Sequence, residues 1–500
     1  MQPQNILLIV WDACRFDAAT AHAPALRSLA ESNLWFENAV TPAGHSLPAH
    51  ASLLNGKYPH QHGIFRHGQS IDSLPLLKSL GNDDYTRYGV SANGFASPKY
   101  GFDEGFDEFY NTQGQMVFPR GFDIHRYGRQ LREGNDGEVD LDSISYPELL
   151  RMVVAHERPI RSAVNVAAAG VMELTRNHSF LEKIPHPRFN PYSEFNYSPD
   201  KNTDLIESII ERESSIDSPF FVFANYMDTH RPYAPLSKYQ REYCGQTFSY
   251  RELSALNRSA QPWRFIERER NGSPLDEETL RTIRRLYRGE VRTVDEHLER
   301  ILHALEEAGL REETLVVVTA DHGENLGETD LMGERRIGHV ASANDNLLRV
   351  PLVVAHPELD ARLVERPVSV KDLYELLTTG TEPLIETAGE WEGWYRTANG
   401  IVASQVPAQA NEVLLERHPD LTDVLTRHIS VCYSESWKVV ATSTGEEYAW
   451  IDGEEIGVSD APETLIETCR ENLVQLETSS TEKKNLSESD VEHLEALGYL

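Results

Sequence analysis

Three separate apolar runs in this chain each end on a carboxylate or an imidazole. Asn5–Val10 (NILLIV) leads into Trp11-Asp12. Pro219–Tyr226 (PFFVFANY) leads into Met227-Asp228-Thr229-His230, and Thr314–Ala320 (TLVVVTA) leads into Asp321-His322-Gly323-Glu324. Unbroken apolar runs of this kind read as strands buried on both faces, as in a parallel sheet covered by helices. In such sheets ligands gather outside the C-terminal strand ends. Three strand ends armed in this way predict one site at one sheet edge. Between them, Glu277–Ala308 keeps apolar residues at helical spacing through Leu286, Val291, Val294, Leu298, Ile301 and Leu305. The expected fold class is α/β: a large mixed, mostly parallel central sheet flanked by helices, with a small C-terminal antiparallel subdomain.

Texture along the chain sets the expected boundaries. Val350–Ala355 (VPLVVA) reads as a further strand. Residues near 130–215 are polar and irregular, with helical pieces around Tyr146–Ala155 and Ser162–Thr175, and are expected to form an insertion in a catalytic domain spanning 1–398. From 399 to 500 the pattern changes to short strands, Ile429–Tyr433 and Trp437–Ala441, separated by Ser/Gly turns. A helix from Ala461 to about Gln475 and a short amphipathic helix over Asp490–Leu500 complete that expected subdomain.

Charge narrows the possible partners. Among 500 residues there are 79 Asp and Glu against 47 Lys and Arg, a net charge of −32, and only 10 of the basic residues are Lys. The acidic residues are spread along the chain. Broad acidic excess keeps a protein hydrated in concentrated salt, so a halophilic cytoplasm is the expected setting. Phosphate-backbone binding needs a basic patch, which excludes nucleic acid as the expected partner. Self-repulsion among these acids is long-ranged at low salt, because the Debye length is ~30 Å at 0.01 M and ~3 Å at 1 M. The melting temperature is therefore expected to rise between those salt levels; a flat or falling value removes the halophile reading. No run approaches the ~18 apolar residues of a membrane span. Residues 1–5 carry no basic n-region and Ile6–Trp11 is too short for a signal sequence, so a cytoplasmic protein is expected. Cys14, Cys244, Cys432 and Cys469 are too far apart for a CxxC motif.

The segment Thr41–Gly63 (TPAGHSLPAHASLLNGKYPHQHG) carries the most chemistry. Pro48 near the start and Gly56 after the end bracket a helix of about two turns. Ser46 is placed at its N-cap, where free N–H groups and the helix dipole favour anions. His50, one turn on, shares that face and joins the catalytic candidates. His60 and His62 are expected to order the following turn, and Arg15 with Asp17 to form a local ion pair.

Taken together, NILLIVWDACRFD, TPAGHSLPAHASLLNGKYPHQHG, GFDEF at Gly105–Phe109, NYMDTHRPY at Asn225–Tyr233 and TADHGENLGE at Thr319–Glu328 resemble the sulfatase family of the alkaline phosphatase superfamily. The likeness spans roughly residues 4–360 and extends to the ending Leu497–Leu500. It implies that Asp12, Asp321 and His322 are metal ligands and that Ser46 is the nucleophile, itself touching the metal. It further implies that His230 and His339 contact the substrate or leaving group. A hard divalent cation suits such oxygen ligands with one imidazole. One metal is expected, calcium or manganese ahead of magnesium or zinc, with two metals as the alternative. Of Arg335 and Arg336, Arg336 is the candidate for meeting the substrate's charge, against the ordinary fate of an ion pair.

Two departures from the family pattern matter. Formylglycine-forming members carry Arg where this chain has His50, which points to an unmodified serine. Ala13 replaces a second Asp often found after the first, and DHG replaces DNG; both shift the likeness toward phosphoester-cleaving branches. The expected function is metal-dependent hydrolysis of a sulfate or related phosphate ester by in-line attack from Ser46. The expected substrate is a small anionic ester or a sulfated or phosphorylated glycan. The alternatives are a transferase moving a phospho-substituted group onto a glycan or lipid, and a non-catalytic binder of anionic glycans.

Overall fold

The computed structural model describes residues 5–65, 69, 71, 74–112, 118, 121–122, 127, 146–175, 197–379, 400–407, 414–416 and 418–479. Its centre is an eight-stranded sheet. In chain order the strands are β1 (Asn5–Trp11), β2 (Leu34–Phe36), β3 (Thr86–Ser91), β4 (Glu108–Asn111), β5 (Phe220–Tyr226), β6 (Thr314–Thr319), β7 (Leu352–Ala355) and β8 (Arg362–Val364). Their spatial order is β8-β2-β7-β6-β1-β5-β3-β4. Only β7 runs against its neighbours, so seven strands are parallel and the sheet is mixed. The three apolar runs became its central strands β1, β5 and β6, every residue of which is buried. Each aliphatic side chain buried there contributes about 1.5–3 kcal/mol.

Register delivers the predicted convergence. Val10 of β1 lies opposite Asn225 of β5 and Thr319 of β6, and Ser91 of β3 lies opposite Asn225. All four strands therefore end at one edge, and the residues that follow them share it: Asp12, Asn93, Asp228–His230 and Asp321-His322.

Helices flank the sheet. In chain order those that matter here are α1 (Pro24–Glu31), α2 (Ser46–Asn55), α3 (Pro199–Glu213), α4 (Glu277–Glu307), α5 (Thr422–Leu425) and α6 (Glu463–Ser479). The long α4 follows its predicted stripe, burying Leu280, Ile283, Leu286, Val291, Val294, Leu298, Ile301 and Leu305. The Asp276 carboxylate caps it by accepting from the Thr279 N–H at 2.9 Å, and Glu277 and Glu278 meet the positive end of its dipole. α3 belongs to the stretch expected as an insertion with helical pieces. It lies inside 130–215, yet Ile206, Ile209 and Ile210 enter the main core. The i, i+3, i+4 spacing of those isoleucines carried the signal, masked by the acidic residues between them. The predicted helical pieces are present as Tyr146–Ala155 and Pro159–Thr175. The tail expected as a helix over Asp490–Leu500 lies outside the described residues.

The C-terminal part is a five-stranded antiparallel sheet of β9 (Ile401–Gln405), β10 (Ile429–Ser434), β11 (Trp437–Thr442), β12 (Glu447–Ile451) and β13 (Glu454–Ile456), adjacent in that order. Side chains alternate between its faces. Val402, Cys432 and Val439 pack on Leu465, Ile466 and Cys469 of α6. Ile401, Ala403, Ile429, Val431 and Val440 pack on Val40, Ala343, Leu347 and Leu348 of the larger part. Lys438 shares this second face; its buried Nζ donates to the Ala343 carbonyl at 2.8 Å and to the Asp345 carboxylate, which also accepts from the Tyr433 hydroxyl at 2.9 Å. Lys438→Met is expected to leave that polar seam unpaired and cost about 1–3 kcal/mol. Far-UV dichroism should stay unchanged while the melting temperature falls; an unchanged melting temperature would show the seam to be energetically neutral.

Candidate active site

Asp12, Asp321 and His322 present ligand atoms within 4.8 Å of one another, all buried, and form the one such group of metal-ligating side chains among the described residues. Each is fixed by its backbone surroundings. Asp321 Oδ1 accepts from the Ala13 N–H at 3.1 Å and the His322 N–H at 2.8 Å. His322 Nδ1 donates to the Gly323 carbonyl at 2.8 Å, since a carbonyl can only accept, and so Nε2 keeps its lone pair for the cluster. Gly323 permits this close turn: a Cβ there would lie 2.0 Å from the Asn346 carbonyl oxygen. Asp12 is held by the Asn93 amide, and its backbone carbonyl accepts from the Thr229 hydroxyl at 2.5 Å.

Ser46 comes to this cluster from the start of α2. Its Oγ lies 3.2 Å from His322 Nε2 and 3.4 Å from Asp12 Oδ2. The expected N-cap position is corrected by one residue. His45, in extended conformation, is the N-cap, and Ser46 is the first helical residue. Its hydroxyl faces the carboxylates rather than capping its own helix, which leaves it free for chemistry. Gly56 ends the helix as predicted, with φ +72°.

His50 is fully buried between the rings of Phe102 and Phe223. Its Nδ1 donates to the Ser46 carbonyl at 2.8 Å and lies 3.5 Å from Asp321 Oδ2, while Nε2 accepts from the Asn225 amide at 3.0 Å. Both ring nitrogens are thereby hydrogen-bonded within the protein. A further row of imidazoles follows. The His339 ring lies 4.6 Å from that of His322 and 5.3 Å from that of His230. His339 Nδ1 meets Glu324 Oε1 at 3.2 Å, and Glu324 also accepts from the Tyr233 hydroxyl.

The electrostatics show what this pocket lacks. Burial, and then the neighbouring Asp321 carboxylate, push Asp12 well above the ordinary carboxylate range, against the amides of Asn93 and Asn225. Burial also opposes ionisation of Asp321, but His322 and His50 hold it below its usual value. Asp12 Oδ1 and Asp321 Oδ2 are buried without a hydrogen-bond partner among the described residues. Two orphaned carboxylate oxygens and an imidazole lone pair fit a bound cation, which would lower the cost of both charges. Burial drives the pKa of His230 down to about 3 and that of His339 well below its usual value, and it raises Glu324.

Most sequence candidates thus meet in one place: Asp12, Ser46, His50, Asp321, His322, His230 and His339. Arg336 does not join them. Its buried guanidinium, on the strand Arg335–Gly338, pairs with Glu334 and lies 3.7 Å from Asp330, both of which precede that strand, and Glu334 is shared with Arg427. Arg15 forms the expected pair with Asp17, two bonds of 2.8 Å, and adds Glu328 at 2.7 Å. His62 orders its turn through Ser52 and the Ile64 N–H. Sequence reasoning missed Asn93, Asn225, Glu324 and Arg231. Asn225 was visible as the one amide in an apolar strand, and Arg231 as the cation beside His230. Arg231 is buried, and its charge is felt by His230, His339 and Glu324.

Known proteins resemble this chain in sequence and in fold. A family model described as Sulfatase matches residues 4–378. A multifunctional alkaline phosphatase superfamily protein of Trinickia caryophylli is 25% identical over 386 residues, covering 71% of this chain and 68% of its own. A choline-sulfatase of Rhizobium meliloti is 21% identical, covering 77% of this chain and 69% of its own. The crystal structure of a phosphonate monoester hydrolase of Agrobacterium radiobacter shares the fold with a TM-score of 0.58 at 20% identity, over 97% of this chain and 98% of that one.

Proposed function

The chain belongs to the sulfatase family and is a hydrolase of sulfate or related phosphate esters; on that premise we propose that Ser46 is its nucleophile, unmodified, beside one divalent cation held by Asp12, Ser46, Asp321 and His322. The observation that carries this reading is the position of Ser46 Oγ, within 3.4 Å of both Asp12 and His322, at a helix start. When bound, the cation supplies neutralisation of the ester's outer oxygens and favours the serine alkoxide. The carboxylate and hydroxyl oxygens suit calcium or manganese, with magnesium or zinc as the other candidates. The Ser46 and Leu47 N–H groups at the start of α2 have no partner within the helix and can stabilise charge that develops on the ester, Pro48 having no N–H and the Ala49 N–H donating to the His45 carbonyl. His50 holds the Ser46 carbonyl and Asn225, fixing the hydroxyl's direction. Formation of the ester intermediate needs a proton at the leaving oxygen. Burial favours the neutral forms of both His339 and Glu324; with a protonated Glu324 donating to His339 Nδ1, the neutral ring carries a proton at its other nitrogen and can give it to the leaving oxygen, and His230 stands beside it. Water then resolves the serine ester.

The fitting substrate is an anionic ester on a sugar or small alcohol, and the acidic surface fits a cytoplasm rich in salt. No helix among the described residues is long and apolar enough to cross a membrane. Manganese-loaded protein should release 4-nitrophenol from 4-nitrophenyl sulfate, 4-nitrophenyl phosphate or a 4-nitrophenyl phosphonate monoester, with a burst equal to one Ser46 equivalent. Failure on all three esters, with no adduct at Ser46, would overturn the assignment.

A further inference from the structure

The loop that carries Asp12 turns on a backbone conformation that a non-glycine residue rarely adopts. Ala13 has φ +58°, in the left-handed region, where its Cβ crowds the following carbonyl oxygen. Such a conformation persists where the surroundings hold it, and the two peptide groups that meet at the Ala13 Cα are each held from outside the loop. In the first, the Asp12 carbonyl accepts from the Thr229 hydroxyl at 2.5 Å and the Ala13 N–H donates to Asp321 Oδ1 at 3.1 Å. In the second, the Ala13 carbonyl accepts from the Tyr287 hydroxyl at 2.8 Å. The same Tyr287 oxygen accepts from the Arg15 N–H at 2.8 Å.

Tyr287 belongs to α4 and is buried, with its ring edge-on to that of Tyr233 at 5.5 Å. Burial raises its pKa well above the ordinary tyrosine value, so the phenol stays protonated and donates. One hydroxyl thus spans the loop from Ala13 to Arg15. Its effect reaches the carboxylate cluster through Ala13. Asp321 Oδ1 accepts from the N–H groups of Ala13 and His322, which leaves Oδ2, 3.5 Å from His322 Nε2, for a cation. If the Ala13 peptide swung away, Asp321 would lose one of those donors. Asp12, whose carbonyl belongs to the same peptide group, would turn with it.

We propose that Tyr287 is a positioning residue of the cation site: its hydroxyl holds Ala13 in the left-handed conformation, so that the Ala13 N–H orients Asp321 and Asp12 faces the same centre. The proposal rests on the reading of Asp12 and Asp321 as ligands. It gives α4, which supplies none of the four proposed ligands, a part in metal affinity. Groups that orient metal ligands typically cost about 10–100-fold in affinity when removed.

The test is Tyr287→Phe, which removes both hydrogen bonds but keeps the ring and its contact with Tyr233, so the fold should survive. Manganese affinity of the full-length protein is measured by competition with a fluorescent chelator at fixed pH and ionic strength, independently of turnover. A loss of about tenfold or more is expected. Tyr226→Phe removes an equally buried hydroxyl, one that meets Thr203 Oγ1 at 2.8 Å. It should lower the melting temperature without moving manganese affinity. Adding Ala13→Gly to Tyr287→Phe should recover part of the lost affinity, because glycine takes φ +58° without the Cβ contact. A crystal structure of Tyr287→Phe should show Ala13 out of the left-handed region and its N–H beyond reach of Asp321. Undiminished manganese affinity in Tyr287→Phe overturns the proposal, and so does an equal loss in Tyr226→Phe. A wild type that binds no manganese strikes the ligand reading instead. The Ala13 conformation in the variant crystal then decides what Tyr287 does, and an unmoved Ala13 overturns its positioning role.

Discussion

Ser46→Ala is expected to lower turnover of an aryl ester by roughly 10³–10⁶-fold, the range seen when a covalent nucleophile is removed. That is about 4–8 kcal/mol of barrier, more than any other single substitution here should cost. The fold should survive, because Ser46 makes no bond that caps its helix; His45 holds that position. Ser46→Thr keeps the hydroxyl but adds a methyl to a side chain that is 1% exposed, so partial activity is the most it can retain. The covalent intermediate seen by mass spectrometry with wild type should vanish in Ser46→Ala. Peptide mass of the native protein decides the chemical identity of the group: an intact serine supports the assignment. A loss of two hydrogens would mean formylglycine, with attack by a hydrated aldehyde and sulfate esters as the natural substrates. His50 makes the serine the better expectation on structural grounds as well. Both its ring nitrogens are hydrogen-bonded inside the protein, to the Ser46 carbonyl and the Asn225 amide.

Much of this site could be read from sequence because parallel sheets put chemistry where strands end. An apolar run ending in Asp or His fixes both the strand and the edge, and that was enough to place Asp12, His230, Asp321 and His322 together. Ser46 was legible from the helix punctuation around it, to within one residue. Side-chain partners were harder. Arg336 and Arg231 are both arginines near site histidines in sequence, and only packing separates them. The first is neutralised by Glu334 and Asp330 in a hairpin, while the second is buried where His230, His339 and Glu324 feel its charge. Glu324 carried no signal of its own beyond following the Asp-His pair, whereas it is buried against His339 and Tyr233. The α3 helix was hidden because its surface is so acidic that the isoleucine stripe was diluted. The meeting of Tyr287 with Ala13 joins residues far apart in sequence, and no local pattern encodes such a contact.

Asp321→Asn is expected to abolish both metal-dependent activity and metal-dependent stabilisation, while leaving the metal-free protein close to wild type in stability. The argument turns on the two carboxylates. In the absence of a cation, Asp12 and Asp321 are buried side by side, and the charge on Asp321 helps to raise the pKa of Asp12. Removing that charge relieves the repulsion on Asp12 but also gives up the attraction of His322 and His50 that holds Asp321 below its usual value, so the two effects oppose each other and the apo melting temperature should change little. The Asn side chain can still accept from the Ala13 and His322 N–H groups through its one oxygen. What it cannot do is offer the second, unpartnered oxygen, Oδ2, as an anionic ligand. For wild type, manganese at 100 times its dissociation constant should add about 2.7 kcal/mol of stability, and chelation should reverse the gain together with the activity. The variant should show no such rise, no bound manganese by elemental analysis, and at least a thousandfold loss of turnover. A variant that binds one equivalent with undiminished affinity would place the cation elsewhere and remove Asp321 from its ligands. If chelation instead left wild-type activity intact, the serine would have to be activated by the imidazoles alone. His339 and Glu324 would then become the first place to look for its base.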